Sequence, residues 1–300
     1  PLYVGSGSPL SNVGTLTNQG IHLEVGYKLS VDKVNLSFLA NASYVKNEIK
    51  NLGNQTGYID KESLPTLGTV SRNQNGYPIG YFFGYKAIGV FQTQEEIDNY
   101  IGPATGKPIQ PNAVPGDTKF EDLNGDGVIS DDNEDRTMIG KPNPDWMVGL
   151  TVAADWNGFD LSAFFQGSFG ADVFDALRRY ELAAVNYTSD ALERWTGPGT
   201  SNSMPRIVLG DTPKNFRPST LLVHDASFLR LRNLQVGYTL PAQLTRKAYI
   251  QRLRFYASFD NLLTITGYKG MDPEIGSTMG IDKGVYPQAR VYTFGLNLTF

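Results

Sequence analysis

From residue 290 to 300 the chain alternates without a break. Tyr292, Phe294, Leu296, Leu298 and Phe300 share one parity, and Thr293, Gly295, Asn297 and Thr299 the other. Successive side chains of a strand point to opposite faces, so this stretch has one apolar face and one small, polar face. Ile21, Leu23, Val25, Tyr27 and Leu29 repeat the pattern, as do Val34, Leu36, Phe38, Ala40, Ala42 and Tyr44 after a short turn at 30–33. Further strands are predicted over 147–155, 159–169, 228–238 and 253–260. Trp156-Asn157-Gly158 marks a tight turn between the first two of these. In 228–238, Phe228, Arg230, Arg232, Leu234, Val236 and Tyr238 fall on one parity, so the first half of that strand is expected to leave the apolar environment. The alternating runs approach the roughly 9–11 residues a tilted strand needs to cross a bilayer, whereas strands of soluble proteins are mostly about 5–6 long.

Between the strands, connections alternate short and long. They are short at 30–33, 156–158 and 240–251, and long at 46–145, 170–226 and 264–289. Outer-membrane barrels have short periplasmic turns and longer extracellular loops, and with Phe300 on the periplasmic side every connection obeys that rule. This requires that 76–91 not cross the membrane. That stretch is extended and aromatic, but Pro78 and its glycines make it a poor central strand. Within the insertions, helices are predicted over 94–100 and 172–185, with a further turn at 190–195. Seven crossings result. An odd number cannot close an antiparallel barrel, so residues 1–300 are expected to form the C-terminal portion of one, with any plug domain outside this chain. Pro1 is preceded by neither a Met nor a signal-peptide pattern, which fits either a removed leader or a longer chain.

Composition narrows the alternatives. The 300 residues include 16 Tyr, 16 Phe and 32 Gly, the residues of strands, interfacial girdles and turns. No run of about 18 apolar residues is present, so no transmembrane helix is expected; a barrel needs none, because only alternate residues face lipid. The net charge of −4 argues against a nucleic-acid partner. With no Cys, disulfides, thiolate metal sites and cysteine nucleophiles are excluded.

Five blocks, in order, resemble the SusC/RagA family of TonB-linked outer-membrane transporters of the Bacteroidota. They are Asn18-Gln-Gly-Ile-His-Leu-Glu, Gly80-Tyr-Phe-Phe-Gly-Tyr-Lys-Ala-Ile-Gly-Val-Phe, Gly116-Asp-Thr-Lys-Phe-Glu-Asp-Leu-Asn-Gly-Asp-Gly-Val-Ile, Gly140-Lys-Pro-Asn-Pro-Asp and Asn233-Leu-Gln-Val-Gly-Tyr-Thr-Leu-Pro. A terminal Phe is similarly a mark of barrels recognised for outer-membrane assembly. The resemblance implies an all-β, 22-stranded transmembrane barrel with an upstream plug. It also implies a SusD-like lipoprotein over the extracellular mouth, energy delivered through the TonB complex, and import of an oligosaccharide or peptide substrate without enzymatic chemistry.

Asp122-Leu-Asn124-Gly-Asp126-Gly-Val128 has the spacing of the first half of an EF-hand loop. Side-chain oxygens stand at positions 1, 3 and 5, a Gly at 6 and a backbone carbonyl at 7. Position 12 should be a bidentate acid but is Asn133, flanked by Asp132 and Glu134. The loop is about two residues longer than the family's usual form before Asp135-Arg136. It is read either as a structural Ca²⁺ site formed by Asp122, Asn124, Asp126, Val128 and Asp132 or Glu134, or as an Asx-bonded turn without metal. Tyr180, Tyr187, Trp195 and Phe216 are candidates to stack on a sugar or meet the lid protein, the alternative being packing within their own insertion. His22 and His224 lack any metal-ligand pattern, and no Gly-x-Ser-x-Gly elbow marks a nucleophile. A soluble or surface Ca²⁺-binding β-protein and a hydrolase using Asp172, Asp175, Glu181 or Glu193 are the competing classes.

Overall fold

The computed structural model describes residues 14–178, 180, 182, 185–274 and 279–300. Seven long strands form one sheet: β1 (Thr15–Val31), β2 (Val34–Asn51), β3 (Trp146–Trp156), β4 (Phe159–Phe169), β5 (Phe228–Thr239), β6 (Arg252–Thr266) and β7 (Val291–Thr299). Each pairs antiparallel with its neighbours in the order of the chain, an uninterrupted meander. The seven predicted crossings are these strands. β1 and β2 run longer than the alternation suggested, and β2 continues to Asn51, so the first insertion begins past 51 rather than at 46. Asn157 and Gly158, both at positive φ (48° and 90°), close the β3–β4 hairpin in two residues; only left-handed backbone at both positions matches the twist of the flanking strands.

Register places the two chemistries on opposite faces. Tyr27, Phe38, Val152, Ala163 and Leu234 lie in one cross-strand row of the apolar face, while Asp160, Gly237 and Tyr256 align on the polar face. Trp146 and Trp156 occupy the two ends of β3 on the apolar side, both exposed. The 11 residues of β3 make ten steps of about 3.3 Å. At a tilt of about 40° they rise roughly 25 Å, the height of an outer-membrane apolar band. Aromatic contacts gather at those ends: Tyr44 with Trp146 (5.1 Å between ring centroids) at one, Trp156 with Phe159 (6.2 Å) and Phe159 with Tyr238 (4.4 Å) at the other. No helix among the described residues is long and apolar enough to cross a membrane.

β5 does not leave the apolar environment halfway. The pairing of β5 shifts between Leu231 and Asn233: Arg232 is an extra residue against β4, while two β6 residues, Asn261 and Leu262, stand opposite it. A bulge of this kind reverses the parity beyond it. Leu229 and Leu231 therefore join Leu234 and Val236 on the apolar face, and Arg230 turns to the polar face. Asn261 on β6, at φ 52°, accommodates the same irregularity.

All three long insertions lie at the end of the sheet where β2 and β4 finish, and they pack together. A four-stranded sheet in the first insertion runs Thr137–Gly140, Tyr81–Gly84, Ser71–Gln74, Tyr58–Asp60. The 76–91 stretch stays out of the membrane but supplies an inner, wholly buried strand here, because Pro78 precedes the strand rather than interrupting it. A second, three-stranded sheet joins Asp172–Asp175 and Val223–Asp225 of the second insertion to Ile281–Asp282 of the third. The helix predicted over 172–185 thus begins instead as a strand, since its backbone groups find partners in the other insertions; residues 179, 181, 183 and 184 lie outside the described set. The helix predicted over 94–100 forms at Gln94–Asp98, capped by Thr93 Oγ1 accepting from Glu96 N.

Candidate functional site: a cap at one end of the sheet

One hydrophobic core holds the cap. Leu64, Val70 and Phe82 from the first insertion, Phe174, Ala176 and Leu222 from the second, and Ile281 from the third are mutually packed and buried. Backbone bonds tie the same partners: Tyr85 N donates to Pro218 O and Thr220 N to Tyr85 O, while Phe174 N donates to Gly280 O. Asp117 joins the first two insertions, accepting from Arg206 Nε at 2.6 Å and Asn215 Nδ2 at 3.0 Å. The insertions are one folded body rather than three loops.

The third insertion is also fastened to the polar face of the sheet. Arg230, 2 % exposed, donates from Nη2 to Asp272 (2.5 Å), from Nη1 to Glu274 (3.1 Å) and from Nε to Thr264 Oγ1 (2.9 Å). Arg232, the bulge residue, donates to Glu274 (2.6 Å) and Gln166 (2.6 Å). The bulge that places two arginines beside these acids was visible in the sequence as the switch from Leu229 and Leu231 to Leu234 and Val236, although the strand assignment passed over it.

Beneath the cap lies a cavity of about 290 Å³. Met147, Gln166, Ser168 and Phe228 line it from the polar face, and Pro142, Asp172, Val173 and Glu274 from the cap. Burial pushes the Asp172 carboxyl up, against the hydrogen bond it accepts from Lys141 N (3.0 Å). The site can present carboxylates, an amide and an apolar wall to a ligand held between cap and lumen.

The four aromatic candidates separate. Tyr180 and Phe216 are buried against Ala191, Met204 and Ile207, their rings 5.0 Å apart, and in this arrangement present no surface to a ligand. Trp195 is half-buried, donates from Nε1 to Gln92 Oε1 (3.1 Å) and lies flat on Gly116, where a Cβ would stand 2.4 Å from the ring. Tyr187 is exposed, near Leu192 and Leu209, two of the most exposed leucines of the cap. Burial, not pattern, distinguishes these cases, which is why residue type alone could not.

In the 122–134 loop, Asp122 accepts from Gly125 N and Gly127 N (both 2.8 Å), and Asp126 Oδ1 from Val128 N (2.9 Å). Asp132 accepts from Glu134 N (3.0 Å), and its carboxyl is held low, chiefly by the Ser130 hydroxyl. Asn124, Asp126 and Glu134 converge: the Asn124 amide donates to Asp126 Oδ2 and Glu134 Oε2, both at 3.0 Å. Asp135, fully buried, accepts from Leu123 N and Ser130 N and anchors the loop's base. No group of three or more His, Asp or Glu side chains among the described residues is arranged to hold a metal. The loop is thus closed by Asx bonds, with the Asn124 amide bridging the Asp126 and Glu134 carboxylates.

The remaining candidates do not assemble into a reactive centre. His22 shares a 2.7 Å hydrogen bond with Ser43 on the sheet, while His224 lies in the cap. Asp175 is engaged by Arg178 (2.8 Å), and Glu193 ends a short 3₁₀ turn. Glu181 lies outside the described residues.

A long antiparallel meander with a continuous apolar belt, interfacial aromatics, a polar inner face and elaboration at one end only defines the wall of an outer-membrane β-barrel. Known proteins agree. TonB-dependent receptor P3 of Formosa agariphila is 33% identical over 100% of this chain, and TonB-dependent receptor SusC of Bacteroides thetaiotaomicron is 30% identical over 96%. Solved structures of the RagAB peptide transporter match all of the chain, one with a TM-score of 0.76 at 26% identity. The chain spans 30% and 27% of the length of those two receptors and 31% of that structure. No family model matches it. The chain belongs to the SusC/RagA family of TonB-dependent receptors, proteins of the Bacteroidota outer membrane rather than enzymes.

Proposed function

We propose that this chain is the wall and extracellular cap of a TonB-dependent importer of oligomeric nutrients, glycan or peptide, that works with a SusD-like surface lipoprotein. The observation that carries it is the cap: three insertions share one core over a cavity opening on the polar face of a membrane sheet. Such a body offers a ligand a fixed surface at the place where a nutrient arrives, with no covalent chemistry required. The peptide transporter among its structural neighbours favours a peptide. The exposed Tyr187, Leu192 and Leu209 are the part of the cap suited to meet the lipoprotein, since exposed apolar clusters mark partner surfaces. The test is uptake of labelled oligopeptides and oligosaccharides by cells carrying the full-length receptor, with and without TonB. Accumulation of either that requires both receptor and TonB supports import; TonB-independent accumulation of both, or none, overturns it. In the same cells, Leu192→Asp with Leu209→Asp is expected to abolish co-purification of the lipoprotein while the receptor still assembles.

We further propose that the 122–134 loop takes one structural Ca²⁺. The convergence of Asn124, Asp126 and Glu134 supports it, with Asp122, the Val128 carbonyl and Asp132 completing an oxygen set. Calcium should raise the thermal midpoint of the purified receptor and a chelator lower it, with Asp126→Asn removing the difference. An unchanged midpoint would leave the loop as an Asx-bonded turn.

A further inference from the structure

The periplasmic connection between β5 and β6 is built differently from the other two. They are two-residue turns, at Asp32-Lys33 and Asn157-Gly158. This one forms a short helix, Ala242–Thr245, and a 3₁₀ turn, Arg246–Ala248, in which Thr245 is the buried residue. Everything else of weight points outward: Leu244 is 60% exposed and Tyr249 90%. Tyr249 also sits at φ 59° as the left-handed cap of the turn, held by Tyr249 N donating to Arg246 O and Ile250 N to Thr245 O, both at 3.1 Å. A loop facing only water would be better served by Gly or Asn at that position.

Its charge is one-sided. Residues 240–252 include Arg246, Lys247 and Arg252 and no Asp or Glu. All three cations are exposed and none forms an ion pair among the described residues. Of the other two turns, Asp32-Lys33 carries one charge of each sign and Asn157-Gly158 none. The connection also continues the membrane surface. Tyr238, of the aromatic cluster with Phe159, lies just before it, and Leu253, on the apolar face opposite Leu298, just after it. Amphipathic turns with aromatic, aliphatic and basic side chains lie in the plane of a membrane interface.

We infer that 240–252 is an anchor in the periplasmic leaflet. Leu244 and Tyr249 insert at head-group depth, and Arg246, Lys247 and Arg252 hold the phosphates of anionic phospholipids. The helical turns carry Arg246 and Lys247 beyond the strand ends, and Arg252 opens β6 beside them. Exposed Arg and Lys beside an anionic surface are attracted within a Debye length, and the aromatic sets the depth. This is independent of what the receptor imports.

The test uses the full-length receptor in lipid nanodiscs, with a fluorophore on Gln243→Cys and, as the aqueous reference, on Lys33→Cys. Nitroxide lipids labelled near the head group should quench the 243 probe, and more strongly in discs with phosphatidylglycerol than in phosphatidylcholine alone. Iodide should quench it less than the probe at 33. Arg246→Glu with Lys247→Glu should cut lipid quenching by at least about half and erase the dependence on phosphatidylglycerol. Tyr249→Ser should reduce it as well, with heat-resistant barrel mobility on a gel retained to show that folding is intact. Equal iodide access at 243 and 33, or lipid quenching indifferent to charge reversal, overturns the inference.

Discussion

Arg254 and Asp160 stand on β6 and β4, with β5 between them, and their side chains meet over Gly237, Nε to Oδ1 at 2.9 Å. A Cβ on residue 237 would lie 2.5 Å from both Arg254 Nη2 and Asp160 Oδ1. The ion pair therefore spans three strands of the inner face only because the middle one offers no side chain. Gly237→Ala should push the pair apart and destabilise the sheet by about 1–3 kcal/mol, the usual range for overpacking. Thermal unfolding of the detergent-solubilised receptor would register the loss. An unchanged midpoint would mean that the pair has another route.

The two faces of β7 should tolerate charge very differently. Leu296 pairs with Phe255 on the apolar face, and Asn297 with Arg254 on the polar one. Leu296→Arg is expected to cost about 2–4 kcal/mol if it lies at the bilayer midplane, or to block assembly. Asn297→Arg, on the polar face, should be far milder and leave the heat-resistant folded band intact. Similar losses at 296 and 297 would contradict the assignment of lipid to the apolar face.

Phe174 touches all three insertions through the shared core, with Phe82 at 5.9 Å between ring centroids. Phe174→Ala should cost about 3–5 kcal/mol of cap stability. The signature would be joint protease sensitivity of the first, second and third insertions in intact cells, the barrel remaining in the membrane. Cleavage confined to the second insertion would show that the cap is not one cooperative unit.

Acid should loosen the sheet that joins the second and third insertions. Burial lowers the pKa of His224; Arg178 and Lys269 lower it too, while Asp175 and Asp190 oppose them. The folded protein thus favours neutral imidazole. As pH falls through the ordinary histidine range, the unfolded state takes up the proton more readily and stability is lost; above it, the contribution is fully present. Hydrogen-exchange protection at 172–175 and 281–282, measured against the intrinsic rate at each pH, should fall between pH 7.5 and 5.5, and His224→Gln should flatten that change.

The strands were legible because lipid on one side and water on the other impose a period of two on every crossing, as in 21–29 and 290–300. Loop parity then placed all three long insertions at one end of the sheet, where they are found. Legibility failed where contacts are non-local. Ala171-Asp-Val-Phe-Asp-Ala-Leu has apolar residues at helical spacing, yet Asp172–Asp175 is a strand because residues 223–225 and 281–282 complete its hydrogen bonds. For Tyr180 and Phe216 the sequence left ligand stacking and packing within the insertion both open, because nothing local reveals that Met204 and Ile207 cover them. The cavity escaped for the same reason: Met147, Gln166, Asp172 and Glu274 come from four separate segments.

The shared core has a consequence for how such a receptor is made. Glu62 and Lys283, joined by an ion pair, are 221 residues apart, and Ile281 closes a core begun by Leu64. The core of the first insertion stays incomplete until the third arrives. Exported segments would then wait, sticky and unfinished, outside a cell that keeps no ATP there to protect them. Completion of the cap becomes a late checkpoint in biogenesis, and a receptor stalled before β6 and β7 are in place would display an unfolded surface to any protease nearby.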